Sequence, residues 1–269
     1  MFKPYLLKWD LVPDGEPIAT PTAWLLPVRR RGEPAMLKLA GEEERGGNLL
    51  LEWWDGEGAA RTLAREDAAV LLERAMGPTS LAEMARAGRD DDACRILCAT
   101  AARLHAPRAW PPPQLVPLTR WFGELEPAAA KHGGILDRCA ETARALLAAP
   151  TDCRPLHGDL HHDNVLDFGT RGWLAIDPKG LIGERGFDFA NIFTNPDLSD
   201  PARPVATELG RFVRRVEIVS DAANLEPQRL LRWILAWTGL SAAWFLSDGD
   251  PLARIDLRIA ELAAAELDK

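Results

Sequence analysis

The stretch that decides the reading is "PLHGDLHHDNVLDFG", Pro155 to Gly169. Between His157 and Asn164 it places three histidines, two aspartates and an asparagine. His157, Asp159, His161, His162 and Asp163 are all residue types that ligate metals. A histidine-rich hydrolytic centre would also draw ligands from distant loops. Only His105 and His132, both in helical segments, are left to supply imidazole. Spacing carries more than composition. Asp159 and Asn164 stand five apart in the order H-G-D-x-x-x-x-N; an aspartate without such a partner would read as a turn or cap residue.

Downstream, "VLDF", "GTRG" and "WLAID" read as strand, turn and strand, closing at Ile176-Asp177, thirteen residues past Asn164. Protein kinases use the same order of groups, in which one Asp accepts the hydroxyl proton while the Asn and a second Asp hold magnesium. Two carboxylates and an amide carbonyl are hard oxygen donors suited to that ion. A hairpin is a rigid way to bring Asn164 and Asp177 to one point.

Upstream, "TAWLLPVRR" (Thr22 to Arg30) and "PAMLKLA" (Pro34 to Ala40) are short apolar runs separated by a hairpin-turn sequence. Glu42 to Trp54 reads as a helix, followed by two strands that end at the breaker Met76-Gly77-Pro78. After that come helices over Ser80 to Ala87 and Asp91 to His105, with Asp90, Asp91 and Asp92 as caps and favourable charges at a helix start. A proline-rich loop, Ala106 to Pro117, precedes helices at Leu118–His132 and Ile135–Ala149. From Pro201 onward the chain reads as helical. The expectation is an α+β chain with a strand-rich part over residues 1–76 and a larger helical part over 77–269 that carries the polar cluster.

The 269 residues are 47% hydrophobic and 27% charged, ordinary for a globular protein. No signal peptide is visible at the start, and the uncharged run Trp233 to Leu246 is too short to span a bilayer and reads as a buried helix. Cys94, Cys98, Cys139 and Cys153 show no paired spacing and read as small apolar residues in a reducing cytoplasm. The net charge of −8 argues against nucleic acid and suits a cationic small molecule. No membrane partner is expected.

"LHGDLHHDNVL" followed by "GWLAIDPKGLIGERGFDFANIF" closely resembles the aminoglycoside phosphotransferases, most of all the streptomycin 6-kinase and hydroxyurea kinase branch and its short, transposon-borne kind. "LLEWWDGEGAARTL" and "RLLRWILAWTGLSAAWFLSDGD" also resemble that branch, so the likeness covers nearly the whole chain. It implies a protein-kinase-like bilobal fold, ATP and Mg2+, and phosphorylation of the 6-hydroxyl of streptomycin's streptidine ring, which confers resistance. Kinases of another aminoglycoside, hydroxyurea or a metabolite are the alternatives. Carried across, Asp159 is the catalytic base and Asn164 and Asp177 hold magnesium. Lys38 contacts the α- and β-phosphates, and Glu44, with Glu42 and Glu43 as alternatives, pairs with it. Glu73 and Ala75 meet adenine through backbone groups. His157 hydrogen-bonds backbone near the catalytic loop, and Asp188 ties amides of that loop together. Gly180 to Gly186 is expected as a tight loop carrying Glu184 and Arg185 near the active site. No glycine-rich phosphate loop is present; "ATPTAW" (Ala19 to Trp24) takes its place, with threonine hydroxyls and amides to cover phosphates.

A site for streptomycin's guanidinium groups calls for carboxylates. Asp197, Asp248 and Asp250 are the candidates, at ends of helices or loops beyond Asp177. Trp233, Trp237 and Trp244 recur at helical spacing and read as core, whereas Trp110 and Trp121, in or beside the proline-rich loop, are the stacking candidates.

Overall fold

The computed structural model describes residues 1–41 and 44–269. Glu42 and Glu43 lie outside the described residues. The chain opens on a helix, α1 (Lys3–Lys8), where strands are expected from the sequence. Pro4 suits its first turn, and Phe2, Tyr5, Leu6 and Trp9 lie against the outer face of the sheet that follows. That sheet contains β1 (Leu11–Pro13), β2 (Ile18–Ala19), β3 (Ala23–Arg30) and β4 (Glu33–Ala40). After the helix α2 (Arg45–Trp54) it is completed by β5 (Thr62–Glu66) and β6 (Ala69–Glu73). The order is β1-β3-β4-β6-β5, with β2 paired to β3. Arg31 (φ 52°) and Gly32 (φ 86°) supply the two left-handed residues that a tight β3–β4 hairpin turn needs.

Strand alternation sends the two faces of this sheet to different places. Leu26, Val28, Ala35, Leu37, Ala69 and Leu71 form an outer core beneath α1. On the other face, Val70 and Leu72 join Leu50, Leu51 and Trp54 of α2 in the large core that continues into the helical lobe. Met36 and Lys38 alternate with Ala35 and Leu37 and face inward, toward the cleft.

The helical lobe begins with α3 (Leu81–Met84), one wide turn over Ala85–Arg89, and α4 (Asp90–Leu104). The acidic triplet lies inside the first turn of α4, and none of its carboxylates caps the helix. Asp90 instead pairs with Arg215, and Asp91 with Arg211 and Arg214. Beyond the proline-rich loop come β7 (Val116–Pro117), α5 (Leu118–Trp121), α6 (Leu125–His132) and α7 (Ile135–Ala148). Next are β8 (Cys153–Leu156), β9 (Val165–Asp167), β10 (Trp173–Ala175), β11 (Leu181–Glu184) and α8 (Gly186–Ala190). The stretch read as a tight loop is thus a strand and a helix start. β11 pairs with β7 and β8, and β9 with β10 in the expected hairpin.

Three helices finish the lobe: α9 (Leu209–Ala223), α10 (Pro227–Asp248) and α11 (Ala253–Leu267). α10 is long and apolar enough to cross a bilayer by composition, but 72% of its apolar window is buried inside the protein. Trp233 and Trp237 are core residues on it, as their spacing implies. Cys94, Cys98 and Cys139 are buried, and burial pushes the Cys94 and Cys139 thiols up to about 12.

Candidate active site

The site forms where the inner face of the sheet meets the "HGD" loop and the β9–β10 hairpin. The loop is held from below by Asp188. This fully buried carboxylate accepts the backbone N–H of His157 (2.9 Å) and of Gly158 (2.7 Å) and lies 2.7 Å from His105 Nε2. His157 Nε2 donates to the carbonyl of Ile176 (2.8 Å), while its Nδ1 accepts the amide of Asp159 (3.2 Å). Burial lowers the pKa of His157, and a neutral ring suits this donor-plus-acceptor role. Ile176 N–H donates to Asn164 carbonyl (2.9 Å) and Lys179 N–H to His157 carbonyl (2.7 Å). The "HGD" loop and the segment after β10 are thereby stitched into one unit.

On this unit stand Asp159, Asn164 and Asp177. Asn164 Nδ2 donates to the Asp159 carbonyl (2.8 Å) and to Asp159 Oδ2 (3.2 Å). That orientation leaves the Asn164 amide oxygen for another partner. Asp177 takes a left-handed backbone conformation (φ 59°), which turns its carboxylate toward the sheet. There Lys38 reaches from β4 and pairs at once with Asp177 Oδ1 and Glu44 Oε2. Thr22 donates its hydroxyl to Glu44 Oε1. Lys179 Nζ lies 3.2 Å from Asp177 Oδ2 and 3.5 Å from Asp159 Oδ2. Burial by itself would push the Asp177 carboxyl up, but the two lysines outweigh it and hold it well below the usual carboxylate range.

α2 reaches this point because two glycines let it. A Cβ on Gly47 would sit 1.8 Å from the Pro178 carbonyl oxygen, and one on Gly180 would meet the Gly46 carbonyl carbon at 2.5 Å. Backbone lies against backbone there, which fixes Glu44 at the start of α2 relative to Asp177.

Above these charges lies a cavity of about 610 Å³. Leu25 and Met36 line it from the sheet, Leu166 and Ile176 from the hairpin, and Glu73 to Ala75 from the segment joining the lobes. Glu73 is anchored by the Arg171 guanidinium and the Arg61 amide (2.6 Å). The Ala75 amide takes no hydrogen bond among the described residues. The Thr20 hydroxyl is spent on Ala23, and the Thr22 hydroxyl on Glu44, so the turn over the cavity has only backbone to offer a phosphate.

The carboxylates assigned to a guanidinium site lie elsewhere. Asp197 is buried and accepts the amides of Val205, Ala206 and Thr207 (2.8–3.0 Å) and the Thr207 hydroxyl (2.8 Å), which saturates it as a loop clamp. Asp250 accepts the Leu252 amide (2.9 Å) in the turn before α11, and Asp248 sits exposed at the end of α10; neither lines the cavity. Trp121 turns inward, edge-on to Trp244 at 5.5 Å, and does not form a platform; Trp110 is exposed. Glu184, expected near the active site, is buried against Arg229, Trp233 and the Thr151 amide. The clustered histidines form no metal centre: among the described residues no group of three or more His, Cys, Asp or Glu is placed to hold an ion. His162 is buried with neither ring nitrogen hydrogen-bonded among the described residues, and burial drives its pKa well down.

Comparison with known proteins fits this geometry. The family described as aminoglycoside/hydroxyurea antibiotic resistance kinase matches residues 8–249. The chain belongs to that family. Among relatives of this kinase is streptomycin 3″-kinase of Klebsiella pneumoniae, 58% identical over 265 residues, covering 97% of this chain and 99% of that protein. Streptomycin 6-kinase of Streptomyces griseus is 32% identical over 273 residues, covering 96% and 86%. Among solved structures, a thermostable mutant of aminoglycoside phosphotransferase APH(4)-Ia, in a ternary complex with AMP-PNP and hygromycin B, superposes with a TM-score of 0.66 at 13% identity over 99% of each chain. The fold of this kinase is therefore the protein-kinase-like α+β fold implied by the sequence.

Proposed function

We propose that the protein transfers the γ-phosphoryl group of ATP to a hydroxyl of streptomycin and so inactivates the drug in the cytoplasm. The observation that carries this is the meeting of Lys38, Asn164 and Asp177 in the lining of one cavity, with Asp159 held against Asn164, within a chain 58% identical to a streptomycin kinase. The adenine lies between the apolar walls, with the backbone of Glu73 and Ala75 at its edge. Lys38, aligned by Glu44, holds the α- and β-phosphates. Magnesium fits the donor set: a carboxylate on Asp177 and the free amide oxygen of Asn164 are hard oxygens, and this ion keeps several waters beside few protein ligands. When bound, it neutralises charge on the phosphates. Asp159, fixed by Asn164, orients the acceptor hydroxyl and accepts its proton; the remaining work is positioning, because the transfer is loose.

Streptomycin is favoured over hydroxyurea or another aminoglycoside by the degree of identity to the streptomycin kinases. The same argument bears on the position. The relative at 58% identity is named for the 3″ position and the one at 32% for the 6 position, so the 3″-hydroxyl is the better expectation than the 6-hydroxyl read from the sequence. Incubation with ATP, magnesium and a panel of aminoglycosides should release ADP only with streptomycin, and NMR of the product should place phosphorus at the 3″ oxygen. Release with another acceptor alone rejects the substrate; phosphorus at the 6 oxygen rejects the position.

A further inference from the structure

Lys179 has no part in the chemistry assigned above, yet its side chain reaches both reacting sides. Its Nζ lies 3.5 Å from Asp159 Oδ2 and 3.2 Å from Asp177 Oδ2. It therefore bridges the carboxylate on the acceptor side and the carboxylate on the nucleotide side. Lys38 cannot take that place, since it is already committed to Glu44 and to the other oxygen of Asp177. The position of Lys179 is built. Its N–H is bonded to the His157 carbonyl (2.7 Å), and Gly158 comes so close that a Cβ there would meet Lys179 Cβ at 3.1 Å. The next residue, Gly180, is pressed against Gly46. The side chain lines the cavity and keeps 30% of its surface exposed.

We propose that Lys179 is a catalytic residue that binds the phosphoryl group while it is in transit between ADP and the acceptor; the inference rests on the kinase reading of this site. A phosphoryl group moving from the Asp177 side to the Asp159 side passes between two carboxylates that repel it. The ammonium between them offsets that repulsion and donates N–H bonds to the equatorial oxygens, where transition-state charge is spread. In the step, the acceptor oxygen bonds to the γ-phosphorus. The bond from that phosphorus to the β–γ bridging oxygen breaks, its electron pair staying on ADP. The acceptor proton passes to Asp159. Lys179 stays protonated throughout.

The test compares wild type with Lys179→Met and Lys179→Arg in two measurements. The first is affinity for ADP with and without aluminium fluoride, in magnesium and without any acceptor; the planar fluoride occupies the phosphoryl position. Fluoride should tighten ADP binding to wild type, by roughly 100-fold less in Lys179→Met, and to an intermediate degree in Lys179→Arg, while ADP alone binds all three alike and so reports an intact fold. The second is streptomycin phosphorylation, where Lys179→Met should lose kcat by about 100-fold or more, with KM for ATP changed less than about threefold. Equal tightening by fluoride in wild type and Lys179→Met, no tightening in wild type, or a loss confined to KM for ATP or to magnesium affinity overturns the proposal; the lysine is then a counter-charge for the nucleotide site. A wild type that responds to fluoride but leaves streptomycin unphosphorylated rejects the acceptor, and the fluoride comparison still decides the role of Lys179.

Discussion

Two of the buried knots of charge in this protein are built to opposite ends. In the helical lobe, Arg215 of α9 pairs in a bidentate way with Asp90 of α4 (3.0 and 2.7 Å) and donates to the carbonyls of Ile192 (2.8 Å) and Asn195 (2.7 Å). Arg215 and Asp90 are almost fully buried and their donors and acceptors are matched, so the knot is closed. At the cleft, Lys38 and Lys179 pair with Glu44, Asp177 and Asp159, but against an open cavity, with Asp159, Asp177 and Lys179 partly exposed. A closed knot can only hold elements together. An open one has oxygens and N–H groups left to exchange for a ligand's. Charge clustering alone does not mark the site; the unspent valence does.

That contrast can be broken at either knot. The largest expected effect is Asp159→Asn, which should lower turnover by about 10³-fold with ATP affinity nearly unchanged, as for loss of a positioned base; steady-state kinetics beside nucleotide titration reads both, and retained turnover removes Asp159 from its role. Arg215→Met should cost about 3–5 kcal/mol of stability, because it takes the bidentate partner from buried Asp90 and leaves it Arg211 Nη1, 3.7 Å away, and pairing it with Asp90→Leu should recover most of that. Denaturant unfolding measures it, and a double variant no better than the single one would mean that the knot does more than neutralise itself. Gly47→Ala sharpens the account of the open knot. Its new Cβ forces α2 away from Pro178, so kcat/KM should fall about 10²-fold from misplacement of Glu44 and Lys38.

The smallest effect is at a buried carboxyl that belongs to neither knot. Asp256 is fully buried, neither of its oxygens has a hydrogen-bond partner of good geometry among the described residues, and burial pushes its carboxyl up to about 8 against an opposing pull from Ser241. The folded value lies above the unfolded one, so the native state keeps a proton that the unfolded chain releases. Its contribution therefore erodes stability as pH rises from about 4 to about 8, and is flat outside that window. Asp256→Asn should raise Tm by a few degrees at pH 8 and by less at pH 4; an equal shift at both would show that Asp256 titrates normally.

Much of this was legible in the sequence, for a physical reason. Asp159, Asn164 and the hairpin ending in Asp177 are local, so their spacing fixes their geometry. Lys38 sits on a strand whose alternation declares which way it faces. What stayed hidden depends on contacts across long loops. His105 meets Asp188 across 83 residues, and Asp90 meets Arg215 across 125. Neither leaves a periodic trace. In the sequence Asp197 reads as a loop carboxylate free for a guanidinium, whereas in the fold the amides of Val205 to Thr207 consume it. α1 leaves no trace in the sequence, because its six residues are too short to show a helical period. Lys179 stood in plain view in "IDPKG", but no local pattern says that its side chain reaches back to Asp159.

The most direct test of the open knot as a phosphotransfer site follows the phosphorus itself. ATP labelled in the γ-phosphate is mixed with excess enzyme, magnesium and streptomycin for a single turnover. Label should appear on the drug, in an amount equal to the ADP formed. Label in free phosphate, on the protein, or still in ATP would contradict the account.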